Sequence, residues 1–277
     1  MTGRTCLCWA MAAFLWSSGY SALCPYGPVF ADDSLSPSAG MCRVTHSLEP
    51  QAQATTCPKA PLVFILDGAG GFGYASRIIG STIAEANLPI EVRSFSWTHG
   101  YCRVLSDQMH ASHSRREARI LANVLWQCKQ ANPDRPISLL GHSAGCGVAL
   151  LAAEELPPNT LERIVLLAPA VSSGRDLRGA LRSSCQGIDV FISSHDWACL
   201  GLGTTLMGTT DRRWTVGAAG KNGFQPIVAS PEDEALYAKL RQYPWDASLM
   251  WTGHKGGHYG SYQPGFLRVF VLPLLLQ

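Results

Sequence analysis

Charge is the scarce ingredient of this chain. Only 15% of its 277 residues are Asp, Glu, Lys or Arg, and the formal net charge is +2. With no run of Lys or Arg there is no footprint for a nucleic acid or an anionic membrane surface. Metal-ligand spacing is missing as well, since no CxxC and no Cys/His pattern of a metal site occurs. There is no internal repeat. Beyond residue 31 no stretch is long and apolar enough to cross a bilayer, and the apolar segment 266–276 is interrupted by Arg268 and Pro273.

What is present is apolar side chain, 47% of the residues, which excludes a disordered chain and suffices for one large α/β domain at this length. Residues 1–31 read as an export signal. Arg4 gives the positive start, Cys6 to Leu23 is mostly apolar, and Val29-Phe30-Ala31 has the small-x-small form of a cleavage site. An uncleaved anchor competes with this reading, but Ser17, Ser18, Gly19 and Ser21 weaken it. The bulky Leu23 before Cys24 argues against lipoprotein processing. The expectation is an exported protein whose only membrane contact is the N-terminal segment, if that is retained.

Seven cysteines follow Ala31: Cys42, Cys57, Cys102, Cys128, Cys146, Cys185 and Cys199. Export allows disulfides. Cys42/Cys57 flank a loop-like stretch and Cys185/Cys199 an expected strand, and these are the candidate bridges, while Cys146 reads as a small buried apolar residue. Residues 32–60 form a polar N-terminal extension. From residue 61 onward strand and helix patterns alternate. Strands are expected at 61–67, 90–95, 137–140, 161–167, 188–193 and 248–251. Helices are expected at 74–86, 112–130, 144–155, 231–242 and, kinked at Pro273, at 266–276. This alternation predicts an α/β fold, a mostly parallel sheet with helices on both faces in three layers over residues 61–277.

Two glycine motifs stand at strand ends. Gly68-Ala69-Gly70-Gly71-Phe72-Gly73 contains G-x-G-x-x-G, the phosphate-binding pattern of dinucleotide folds. That use needs an acid near the end of the next strand, whereas Glu85 falls in a helix and Glu91 at a strand start. Gly141-His142-Ser143-Ala144-Gly145 follows one strand and opens a small-residue helix. There the serine hydroxyl is pushed clear of the backbone, and the helix N–H groups face any oxyanion formed beside it.

The strand and glycine-rich loop at 62–72, the elbow at 141–145, and acidic then histidine residues after later strands resemble the α/β-hydrolase superfamily. The resemblance covers about residues 61–277. It implies a Ser…Asp/Glu…His order with Ser143 as nucleophile, and oxyanion donors from Ala144 and from Gly68, Ala69 or Gly70. It places the acid at Asp196, just past the strand at 188–193, with Asp176 as runner-up and a turn or capping role as the bland alternative. The base comes from the loop at 253–260, where His258 is favoured over His254. His142 packs beside the nucleophile, His195 is a surface or supporting residue, and His99 lines the pocket or is a polar turn residue. The Gly/Thr-rich stretch 199–224 is either a pocket wall, with Leu202, Leu206, Met207 and Trp214, or a surface loop.

The reading these residues favour is an exported serine hydrolase of carboxylic or acyl esters, with a small-molecule or lipid ester as partner and no cofactor. A non-catalytic binding member of the same fold is the second reading, and a dinucleotide-dependent oxidoreductase the third.

Overall fold

A computed structural model describes residues 59–193, 195 and 217–277. The export signal, most of the extension, Cys42, Cys57, Cys199, Asp196 and Trp214 lie outside the described residues. Among the described residues no helix is long and apolar enough to cross a membrane.

Among the described residues, six strands form one parallel sheet: β1 (Leu62–Leu66), β2 (Glu91–Ser94), β3 (Ile137–His142), β4 (Arg163–Leu167), β5 (Ile188–Ile192) and β6 (Leu240–Pro244). Their spatial order is β2-β1-β3-β4-β5-β6, with every neighbouring pair parallel. The expected α/β architecture is therefore observed. β1 shows why its sequence reads as unbroken Leu-Val-Phe-Ile-Leu. Leu62, Phe64 and Leu66 enter one core, while Val63 and Ile65 enter the other. Side chains alternate across a strand, so a sheet covered on both faces needs apolar residues at every position. Each such side chain, once buried, stabilises the fold by roughly 1.5–3 kcal/mol before chain entropy is counted.

The first core also takes α3 (Ala111–Ala131) through Ala118, Leu121 and Leu125, and α4 (Gly145–Glu154) through Val148 and Leu150. The second takes α1 (Tyr74–Glu85) through Ala75, Ile79 and Ile83, and the C-terminal segment through Phe266, Leu267 and Val271. Between α1 and α3 a short helix, α2 (Val104–Met109), interrupts a stretch the sequence leaves unassigned. Among the described residues, helices after α4 include α5 (Arg178–Ser183), α6 (Ala219–Asn222) and α7 (Pro231–Tyr237).

The chain starts in β1, steps outward to β2, and then crosses back to β3 on the other side. Connections from β1 and β3 thus diverge, which makes their carboxyl ends the switch point at which ligands of open α/β sheets bind. Register sharpens this. Leu66 pairs with Gly141, so the loop after β1 and the elbow after β3 leave the sheet side by side.

Two expectations are corrected. The last strand is Leu240–Pro244, inside the segment read as helix, and the expected strand at 248–251 is part of a 3₁₀ helix, Ala247–Thr252. Ser230 caps α7 and Pro231 starts it, but the helix ends at Tyr237 because the next residues pair with β5. Asp189 faces Arg241 in that register and binds its guanidinium at 2.7 and 2.9 Å, a tertiary contact that overrides weak local preference. Asp246 then accepts a hydrogen bond from the Ser248 N–H at 2.8 Å and turns the chain.

The expected helix at 266–276 is irregular: Pro264–Phe266 is α, Leu267–Val271 is π and Leu272–Leu276 is 3₁₀. Pro273 has no N–H to donate and crowds the preceding turn, which shifts the hydrogen-bond spacing around it. Cys185 carries an exposed thiol, and Cys199, its candidate bridge partner, lies outside the described residues. Cys146 is fully buried as expected, and burial pushes its thiol well above the ordinary range.

Candidate active site

Ser143 has φ 54°, a left-handed conformation that a residue with a side chain rarely adopts. Its backbone is held there from three directions. The Ser143 N–H donates to the Leu167 carbonyl at the end of β4, and its own carbonyl accepts from the N–H groups of Cys146 and Ala170. The flanking glycines are steric requirements. A Cβ on Gly145 would lie 2.6 Å from the Leu66 carbonyl oxygen, and one on Gly141 2.8 Å from the Cys146 Cα. Ala144 takes the N-cap position of α4, which directs the positive end of the helix at the turn. The sharp turn anticipated from G-x-S-x-G is present.

The glycine-rich loop lies against it. A Cβ on Gly68 would stand 3.2 Å from the Ser143 Cβ and 3.7 Å from its Oγ, so this backbone approaches the hydroxyl as only glycine permits. The loop closes through Asp67, whose carboxylate accepts the Ala75 N–H at 2.7 Å and the Ser76 N–H at 3.2 Å, capping α1. The Gly70 N–H is engaged elsewhere: it donates to Asp107 Oδ2 at 2.7 Å. Of the three loop residues nominated as oxyanion donors, Gly70 is therefore corrected to an anchoring role, while Gly68 and Ala69 stay as candidates. The dinucleotide reading loses its acids. Glu85, the last residue of α1, pairs with Arg268 at 2.6 Å, and Glu91, the first of β2, pairs with Arg93 at 2.6 Å.

On the other side of the elbow sits the histidine loop. The His142 ring is buried, its Nε2 lies 3.2 Å from the His258 carbonyl oxygen, and the two rings are 4.8 Å apart. A carbonyl only accepts, so His142 Nε2 carries the proton. The Tyr262 ring meets the His142 ring edge-on at 4.9 Å. His142 thus ties the loop to the elbow and places His258, itself mostly buried, beside the residue preceding Ser143.

His254 is differently employed. Its ring is buried between Phe266 and Trp245, and its Nδ1 accepts the Gly256 N–H at 3.0 Å. In the neutral ring Nε2 is then the protonated nitrogen, leaving no lone pair to take a proton from serine. Burial pushes its pKa down to about 4. This has a consequence for stability. The unfolded chain takes up a proton near the ordinary value of 6.5 while the folded one resists until about 4, so stability is full above pH 6.5 and falls as the pH drops towards 4. In thermal melts, His254→Gln is expected to show a shallower dependence between pH 6.5 and 4.5, by up to about one proton.

The remaining nominated residues fall into place. Asp176, the alternative acid, is a surface residue clamped by Arg178 at 2.6 Å, and that guanidinium holds its carboxyl below the usual range. Asp196 and Trp214 lie outside the described residues. His195 is exposed and packs on Trp245 at 4.6 Å between ring centroids. His99 joins a cluster with no local sequence signature: its Nδ1 donates to Asp107 Oδ1 at 2.8 Å, its Nε2 lies 3.2 Å from His110 Nδ1, and its ring lies 3.8 Å from that of His113. Asp107 and Asp67 are the site residues that sequence reasoning missed. Asp107 is 37 positions from Gly70, a separation at which no local pattern connects two residues.

A sequence profile described as the alpha/beta hydrolase fold matches residues 61–187, from the start of β1 to the start of β5, and includes both the glycine-rich loop and the elbow. A monoglyceride lipase homolog of Monkeypox virus is 32% identical over 119 residues, 43% of this chain, and the match spans 41% of that protein's length. Among solved structures, esterase PE8 is similar at 16% identity and a TM-score of 0.47, over 76% of this chain and 93% of its own. A cutinase-like protein from Cryptococcus sp. is similar at 15% identity and a TM-score of 0.40, over 81% of this chain and 98% of its own. Residues 61–187 are thus similar to the alpha/beta hydrolase fold, and they build most of a parallel sheet of the α/β class.

Proposed function

We propose that the protein is a serine hydrolase of carboxylic or acyl esters, with Ser143 as nucleophile, His258 as base and Asp196 as the acid that orients the base. One observation carries this reading. Ser143 is held at φ 54° at the sheet's switch point, faced by Gly68 on one side and by the histidine loop that His142 anchors on the other. Strain of this kind costs roughly 1–3 kcal/mol and persists where a turn serves chemistry. The similarity of one segment to a monoglyceride lipase homolog supports a small-molecule or lipid ester as substrate.

In the proposed reaction His258 takes the Ser143 proton as Oγ attacks the ester carbonyl carbon, and the carbonyl electron pair moves to oxygen. The N–H of Ala144 and one from Gly68 or Ala69 stabilise that charge, a donor being worth roughly a hundred- to a thousand-fold in rate. Collapse expels the alcohol, which leaves with the proton from His258, and Ser143 is left acylated. Water, deprotonated by the same histidine, then releases the acid. Asp196 accepts the His258 Nδ1–H and fixes the tautomer. The N-terminal apolar segment supports an exported enzyme.

A fluorophosphonate probe tests this directly. The adduct is expected on the peptide that contains Ser143, at one label per chain, together with turnover of p-nitrophenyl acetate. An adduct on another peptide, or a folded protein with neither label nor turnover, removes the reading and leaves a non-catalytic member of the fold.

A further inference from the structure

We propose that Asp107 is a positioning residue for this reaction, setting the glycine-rich loop at the distance from Ser143 that oxyanion binding needs. The inference rests on the hydrolase reading above. The Asp107 side chain is completely buried, and three donors converge on it. Oδ2 accepts the Gly70 N–H at 2.7 Å, while Oδ1 accepts the His99 N–H at 2.7 Å and the His99 Nδ1–H at 2.8 Å. One carboxylate therefore knots the loop after β1 to the loop after β2.

The knot fixes one peptide plane. Gly70 has φ 97°, and its carbonyl accepts the Cys102 N–H at 2.9 Å, so the residue is gripped through both of its backbone polar groups. A Cβ there would meet the Phe72 ring and lie 2.8 Å from Val104 Cγ2, which leaves the loop no room to relax towards α2. The start of the loop is held as well, because the Trp97 Nε1–H donates to the Asp67 carbonyl at 2.8 Å. Between these two anchors lie only Gly68 and Ala69, the candidate oxyanion donors. With both ends pinned, their N–H vectors are set before substrate arrives, and preorganisation is what makes such donors effective.

Only a carboxylate satisfies this geometry. Both oxygens face N–H donors, so an asparagine must turn its own NH₂ towards either Gly70 or His99 and lose that bond. Asp107→Asn thus tests the loop with almost no change in volume. Its kcat for p-nitrophenyl acetate is expected to fall about 10- to 100-fold with KM moving less than about threefold. Inhibition by a phenylboronic acid, a mimic of the tetrahedral state, is expected to weaken by a similar factor. A residue that merely holds the fold would lower the melting temperature without this parallel loss. Asp107→Glu keeps the charge and moves it by one methylene; it is expected to show an intermediate loss in both quantities and serves as the probe should the asparagine variant not fold.

Wild-type rates and boronate affinity in a folded variant would overturn the proposal and leave the hydrolase reading intact. So would a loss confined to KM. A wild-type protein with no turnover and no probe label overturns both.

Discussion

Ser143→Ala is expected to lower kcat for a p-nitrophenyl ester by about four to six orders of magnitude while leaving the melting temperature close to that of the wild type. The two outcomes separate because Ser143 is held by its backbone. Its N–H and carbonyl bonds to Leu167, Cys146 and Ala170 do not involve the hydroxyl, so alanine at φ 54° keeps the same turn. His258→Ala is expected to cost nearly as much, and the double variant no more than the worse single one, since a nucleophile and its base act as a unit. His254→Ala, by contrast, should lose stability first, because its ring fills a slot between Phe266 and Trp245. Steady-state kinetics on the three single variants and the double variant, with a melt of each, decides it. A Ser143→Ala protein that keeps more than about a hundredth of the wild-type rate is incompatible with the proposed mechanism.

The largest effect on stability is expected at Asp189, near the start of β5 and beside the edge strand β6. Its carboxylate is fully buried and binds Arg163 at 2.7 Å, Arg241 at 2.7 and 2.9 Å, and the Tyr243 hydroxyl at 2.9 Å. Burial alone pushes this carboxyl up, but hydrogen bonds from Arg241 and Arg163 outweigh it and hold it below the ordinary value of 3.8. Its contribution is therefore present above that value and lost as the pH falls through the lower folded one. Asp189→Ala strands the Arg163 guanidinium, itself only 4% exposed, without its counter-charge. The expected loss is about 3–5 kcal/mol, read as a lower urea midpoint at unchanged slope. Replacing Asp189 and both arginines together by apolar residues of similar volume is expected to cost far less, because the penalty lies in the stranded charge. A single-variant loss below about 1 kcal/mol would mean that water or a local shift rescues Arg163.

How much could be read beforehand differs from element to element. Strands β1, β3, β4 and β5 lie in runs of continuous apolar residues bounded by Pro, Gly or polar residues, and burial on both faces writes itself into such runs. The elbow was legible for a similar reason. Its steric demands fall within five residues, so Gly141, Ser143 and Gly145 record the turn locally. β6 was not legible, because Leu-Arg-Gln-Tyr-Pro has no apolar face of its own and becomes a strand only by pairing with β5. The sequence favoured His258 over His254 but did not exclude the latter, since both share one glycine-rich loop. Burial and the Gly256 N–H settle what His254 does, and the His142 contact brings His258 beside the elbow.

The sequence by itself determined the class of fold, the approximate positions of its first five strands and the turn that carries Ser143. Each of these depends on periodicity or on sterics within a few residues. Tertiary structure alone decided the sixth strand, the neutral buried state of His254, and the engagement of Gly70 by Asp107, which removes one of three nominated oxyanion donors. These depend on partners 37 to 52 positions away, or on exclusion of water by the assembled core, and neither leaves a mark on the neighbouring residues.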